Sequence, residues 1–201
     1  MNTSVPSPRC RKGTLAAFVT AAVFALSGCG VEVAAYDLPA ESARYTFEAE
    51  TNGVKTVWQY NSAKPTNGDA PEHQPCIGAA AGNNQAACRP EPLIFLRYDL
   101  GLALDNTAKA GGTHEITVVG YYQERLTALP TVTSLQAEVS FDGGKTWHPA
   151  TTEAAGTNTF TAEIKHPNRD QAAEGVGLRI SATDSEGNTV KQTLPTAYKL
   201  S

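Results

Sequence analysis

An all-β fold, an immunoglobulin-like β-sandwich with additional strands on its amino-terminal side, is predicted by three features of this 201-residue chain. Apolar residues recur at every second position in one segment after another, the period of a strand with one covered face. Glycine, asparagine and aspartate gather between those segments, where hairpins need turns. After residue 28 no window repeats its apolar residues every 3.6 positions, as an amphipathic helix does.

The first 28 residues stand apart. Arg9, Arg11 and Lys12 precede the apolar run Leu15–Leu26, which is too short to span a bilayer. Ser27-Gly28-Cys29 follows, and this order of parts reads as a secretory signal. Leu26-Ser27-Gly28-Cys29 resembles a bacterial lipobox. The resemblance implies that residues 1–28 are removed as a lipoprotein signal peptide and that Cys29 carries a diacylglyceryl thioether. Each buried methylene adds about 0.8 kcal/mol, so an acylated Cys29 with two or more chains is stably anchored. The expectation is a protein lipid-anchored to the extracytoplasmic face of a cell membrane. Plain secretion, with Cys29 an ordinary thiol, is the alternative.

Residues 29–37 form a short tether, and an N-terminal β subdomain is expected over 38–110. Tyr45, Phe47 and Ala49 alternate with charged residues, Thr51-Asn52-Gly53 makes a turn, and Thr56, Trp58 and Tyr60 share a face of the return strand. Asn-Gly between alternating runs is a strong hairpin signal. Residues 61–92 hold five prolines and no period, too long for an ordinary connection. Such a loop is either a recognition element on a rigid scaffold or a variable insertion. Leu93-Ile94-Phe95-Leu96 is a continuous apolar run, predicted as a strand buried on both faces and continuing to Asp99.

The segment 111–201 is expected to be the immunoglobulin-like sandwich itself. Its strands are predicted at His114–Tyr122, at Val132–Phe141, around Phe160, Ala162 and Ile164, and around Val176, Leu178, Ile180 and Ala182. The last returns through the turn Asp184–Asn188 to Val190, Gln192 and Leu194. Ser140, Asp142, Gly144, Thr146 and Trp147 are predicted to build a hairpin: the aspartate accepts backbone N–H bonds, glycine takes positive φ and the tryptophan covers the turn.

The formal net charge is −4 and becomes more negative once Arg9, Arg11 and Lys12 leave with the signal. No basic patch exists, which argues against nucleic acid as a partner. Of four cysteines, Cys10 departs with the signal and Cys29 goes to lipid. Cys76 and Cys88 remain, and in an oxidising compartment they are expected to form a disulfide. Closing a loop of that size stabilises by roughly 3 kcal/mol in the chain-entropy model.

Two resemblances follow from these residues. Ser140-x-Asp142-x-Gly144-x-Thr146-Trp147 resembles the Asp-box hairpin of sialidase-like propellers, where the box is structural and lies away from the active site. It occurs once here, and the chain is too short for the four or more blades of a propeller. Phe95–Leu100, Val132–Leu135, the Asp-box hairpin, Gly175–Asp184 and Glu186–Val190 follow one another in an order that resembles the C-terminal non-catalytic β region of secreted bacterial subtilisin-like peptidases. That resemblance runs over most of residues 38–200 and implies an appendage domain, here stand-alone. The peptidase motifs carrying Asp, His and Ser are absent, so it implies no peptidase activity.

Chemistry finds little foothold in the pattern. His73, His114, His148 and His166 lack a second ligand at metal spacing and are expected at the surface or in turns. No metal site and no cofactor is expected, and Trp58, Tyr60, Tyr121, Tyr122 and Trp147 at period two are read as core or hairpin cover. The expected function is non-enzymatic: binding or scaffolding a protein or cell-wall glycan partner. The alternatives are an accessory or docking protein of an exported peptidase and, further off, a glycosidase, which needs two carboxylates facing one cleft.

Overall fold

The computed structural model describes residues 38–66, 69, 87–124, 126 and 128–201, with the backbone of three short strands ahead of them. Those three are β1 (Arg9–Arg11), β2 (Ala21–Phe24) and β3 (Val33–Tyr36), the last two paired with each other. The expected lipidation site Cys29, His73 and the Cys76 end of the expected disulfide lie outside the described residues. Among the described residues no helix is long and apolar enough to cross a membrane.

The chain continues through β4 (Ala43–Thr51) and β5 (Val54–Ser62), then β6 (Phe95–Asp99), β7 (Thr107–Ala108) and β8 (Thr113–Tyr121). After these come β9 (Val132–Ser140), β10 (His148–Pro149), β11 (Thr151–Gly156), β12 (Thr159–Lys165), β13 (Val176–Asp184) and β14 (Thr189–Leu200). The fold is the all-β sandwich the sequence predicts. The larger sheet runs β1-β4-β5-β14-β13-β9-β10, the smaller β11-β12-β8-β6. All neighbours are antiparallel except the short β7, which lies parallel to the end of β14.

Alternation dictates what the sheets bury. Val176, Leu178, Ile180 and Ala182 of β13 and Leu135, Ala137 and Val139 of β9 face Ile116 and Val118 of β8 and Phe160, Ala162 and Ile164 of β12. Strands from residues 38–110 extend both sheets: β5 pairs with β14, and β6 pairs with β8. Trp58 and Tyr60 on β5 and Ile94 before β6 belong to the same core cluster as these later residues. The first hairpin closes where its sequence asks, at Asn52 (φ 52°) and Gly53 (φ 79°).

Two expectations are corrected by the coordinates, and one strand is added to those expected. The run Leu93–Leu96 is not a strand buried on both faces: the strand begins at Phe95, forms the edge of the smaller sheet, and leaves Phe95 and Leu96 only partly covered. The reason lies in Ile94, whose carbonyl accepts the Trp58 indole N–H at 2.7 Å instead of a ladder bond. Thr151–Gly156 is a strand that the sequence conceals, because as an edge strand it buries almost nothing and needs no apolar alternation. His166 is not at the surface but buried, as the site geometry below explains.

Candidate functional site

Two hairpins and a histidine stack hold the polar groups in place. In the first hairpin the Asp142 carboxylate accepts from the Thr146 hydroxyl (2.6 Å), the Thr146 and Lys145 amides (2.9 and 3.0 Å) and the Ser140 hydroxyl (2.8 Å). These donors, the Thr146 hydroxyl first, hold Asp142 well below the usual carboxylate range. Gly143 and Gly144 take φ of 71° and 84°, and the Gly144 amide donates to the buried Ser140 oxygen at 2.9 Å. The Trp147 indole donates to the Gly144 carbonyl at 3.0 Å, and the Arg179 guanidinium lies 4.0 Å from a Trp147 ring centroid. The five residues singled out in the sequence therefore converge on one turn, and Asp142 spends its lone pairs there.

The second hairpin centres on Asp184, which is buried. Its carboxylate accepts from the Tyr122 hydroxyl (3.0 Å), the Glu186 amide (2.9 Å), the Asn188 amide (2.8 Å) and the Asn188 side chain (2.9 Å). Burial, and then the Asp184 charge, push the Tyr122 phenol well above its ordinary value, so it stays a donor. The Asn188 side-chain Oδ1 accepts from the Asn61 backbone amide at 3.3 Å. The foot of the long loop is thereby tied to this hairpin.

Between them opens a cleft of about 220 Å³. Pro90, Pro92, Leu126, Ala128 and Pro130 supply its apolar lining. Asn61, Asp69, Arg89 and Glu186 supply its polar lining. The described parts of residues 61–92, which the sequence leaves without period, thus meet Leu126, Ala128 and Pro130 around this cleft. No aromatic side chain lines the cleft among the described residues. Trp58, Tyr60 and Tyr122 are in the core, Trp147 sits with Arg179, and of the aromatics weighed for a sugar face only Tyr121 is exposed.

Arg89 organises the cleft wall. Its guanidinium donates to the Ser62 hydroxyl (3.1 Å) and the Ala63 carbonyl (3.2 Å) and lies 3.8 Å from Asp69. The Ser62 hydroxyl in turn donates a hydrogen bond to Glu91 Oε1 at 2.9 Å. Burial raises the Glu91 carboxyl above its ordinary value, while Thr66 amide and hydroxyl bonds lower Asp69. The other Glu91 oxygen is buried without a hydrogen-bond partner.

At another place in the fold His166 and His114 stack with ring centroids 5.0 Å apart. His166 Nδ1 donates to the Lys109 carbonyl at 2.9 Å, so Nε2 is free to accept the Tyr198 hydroxyl at 2.8 Å. His114 Nε2 donates to the Leu100 carbonyl at 2.8 Å. Burial holds His166 below its ordinary pKa. Sequence reading missed the pair because 52 positions separate them; the register of β8 on β12, which sets His114 opposite Ile164, is what brings them together. Among the described residues no group of three or more His, Cys, Asp or Glu is disposed to hold a metal ion. Comparison with family models, curated proteins and solved structures finds no match to the chain.

Proposed function

We propose that this chain is a lipid-anchored, extracytoplasmic β-sandwich module that acts by contact and catalyses nothing. Residues 1–28 are its signal peptide, Cys29 carries the lipid, and residues 29–37 tether the sandwich to the bilayer. A Cys76–Cys88 disulfide braces the long loop. The contact surface is the cleft between segments 61–92 and 122–130, and its occupant is a segment of a protein partner.

The composition of that cleft carries the reading. Its 220 Å³ is below the roughly 300–1,000 Å³ of small-molecule pockets and suits one anchoring side chain. Its apolar lining comes mainly from prolines, which are already rigid and lose little entropy on contact. Glycan platforms are built on exposed aromatics, and the cleft has none among its described residues. Asp69 and Glu91 are pushed in opposite directions, as an acid–base pair needs. Their bonds to Thr66, Arg89 and Ser62 favour a structural role over hydrolysis. The likeness of residues 38–200 to peptidase appendages supports a narrower version, in which the partner is an exported peptidase.

Covalent capture from intact membranes tests the surface. Proteins crosslinked to the wild type should be lost when residues 67–86 are replaced by a short glycine linker or when Arg89 is changed to Glu. Unchanged capture by both variants contradicts the assignment of the cleft.

A further inference from the structure

The larger sheet ends on one side in the three-residue β1, which lies on the nine-residue β4, and on the other in the two-residue β10, which contains Pro149. In the full chain β1 lies antiparallel on β4, with Arg9 opposite Glu48, Cys10 opposite Phe47 and Arg11 opposite Thr46. The outer side of β4 is therefore shaped to take an antiparallel strand centred on Phe47. Removal of residues 1–28 takes that strand away. A long strand edge without its neighbour is a template for another chain.

The residues of β4 specify which chain. Tyr45, Phe47 and Ala49 pack on the core, and Arg44, Thr46, Glu48 and Glu50 occupy the other face. We infer that the processed protein pairs through β4 with a second copy of itself, antiparallel and centred on Phe47. In this register all nine residues overlap. Arg44 of each copy stands opposite Glu50 of the other, and Thr46 opposite Glu48. The two-fold axis makes each of these pairs occur twice. Opposite charges facing across a ladder favour pairing, and like charges oppose it. Sliding by two residues one way sets Glu48 against Glu48. Sliding the other way leaves Glu50 and Thr51 beyond the start of the second strand. A slip of one residue turns the apolar face outward. Anchoring both copies in one bilayer raises their effective concentration.

The inference rests on the removal of residues 1–28, which belongs to the reading above, and one experiment separates the two. Native mass spectrometry of the protein released from membranes in detergent counts copies and reads the amino-terminal mass together. The wild type should be paired. Arg44→Glu and Glu50→Arg each create two like-charge pairs and should weaken pairing by about tenfold or more, whereas the double variant should recover to within about threefold. Near-UV circular dichroism confirms that each variant keeps its fold. The Cys29→Ser chain, if it retains the leader, should stay single because β1 holds the edge. Single copies in the processed wild type, a double variant as weak as the singles, or a leader-retaining chain that pairs as tightly as the processed one would each overturn the pairing. A processed chain without lipid overturns the anchor alone, and a wild-type chain recovered with residues 1–28 attached overturns both.

Discussion

Asp184 shows what a buried carboxylate requires: four donors from Tyr122, Glu186 and Asn188 meet its two oxygens in a site almost closed to water. Asp184→Ala strands the Tyr122 hydroxyl and the Asn188 amide, and each stranded donor costs about 1–3 kcal/mol. Urea unfolding should show a loss of about 3 kcal/mol or more in that variant, and less in Asp184→Asn, which retains one acceptor oxygen. Asp142 meets a comparable set of donors at an exposed turn, where water replaces what is lost. Asp142→Ala should therefore lower the melting temperature less than Asp184→Ala does.

His166 gives a pH signature. Its folded pKa lies below the ordinary value of 6.5 because burial disfavours the cation. The folded state thus binds fewer protons than the unfolded one just below that pH. Stability from this group is full above pH 6.5 and falls as the pH drops from there through the lowered folded value. Thermal melts should show this decline in the wild type and a flatter profile in His166→Gln. An identical decline in both would remove His166 as its source. Sequence could not show this, because burial of a histidine depends on which strands cover it.

At the scale of elements, hairpins announced themselves and edges did not. Asn52-Gly53 and the Ser140–Trp147 turn carry their conformations in local residue chemistry, so spacing alone locates them. The central strands β9 and β13 alternate because each packs one face on the core. By contrast β11 lies at a sheet edge with almost every residue exposed, and no apolar rhythm marks it. The run Leu93–Leu96 misled for a complementary reason: its apolar residues serve a crossing segment fixed by a side chain on β5, not a ladder. Trp58→Phe keeps the ring but leaves the Ile94 carbonyl unpaired, which should cost about 1–2 kcal/mol. Hydrogen exchange should rise in β6 and β5 of that variant more than in β13.

For the whole molecule, strand pairing joins the early and late halves of the chain into one sandwich and brings the foot of the long loop beside Leu126, Ala128 and Pro130. The described parts of residues 61–92 meet Leu126, Ala128 and Pro130 because β5 lies on β14 and β6 on β8. Their function is proposed from what lines the cleft, and their location in the cell from the lipobox-like Leu26–Cys29. The location depends on a processed and acylated chain. Intact mass spectrometry of the membrane-extracted protein tests this most directly. The account predicts a chain that begins at Cys29, carries a diacylglyceryl group, and gains two hydrogens on reduction as Cys76 and Cys88 separate. A chain still bearing residues 1–28, or one beginning at Cys29 with a free thiol there, would contradict it.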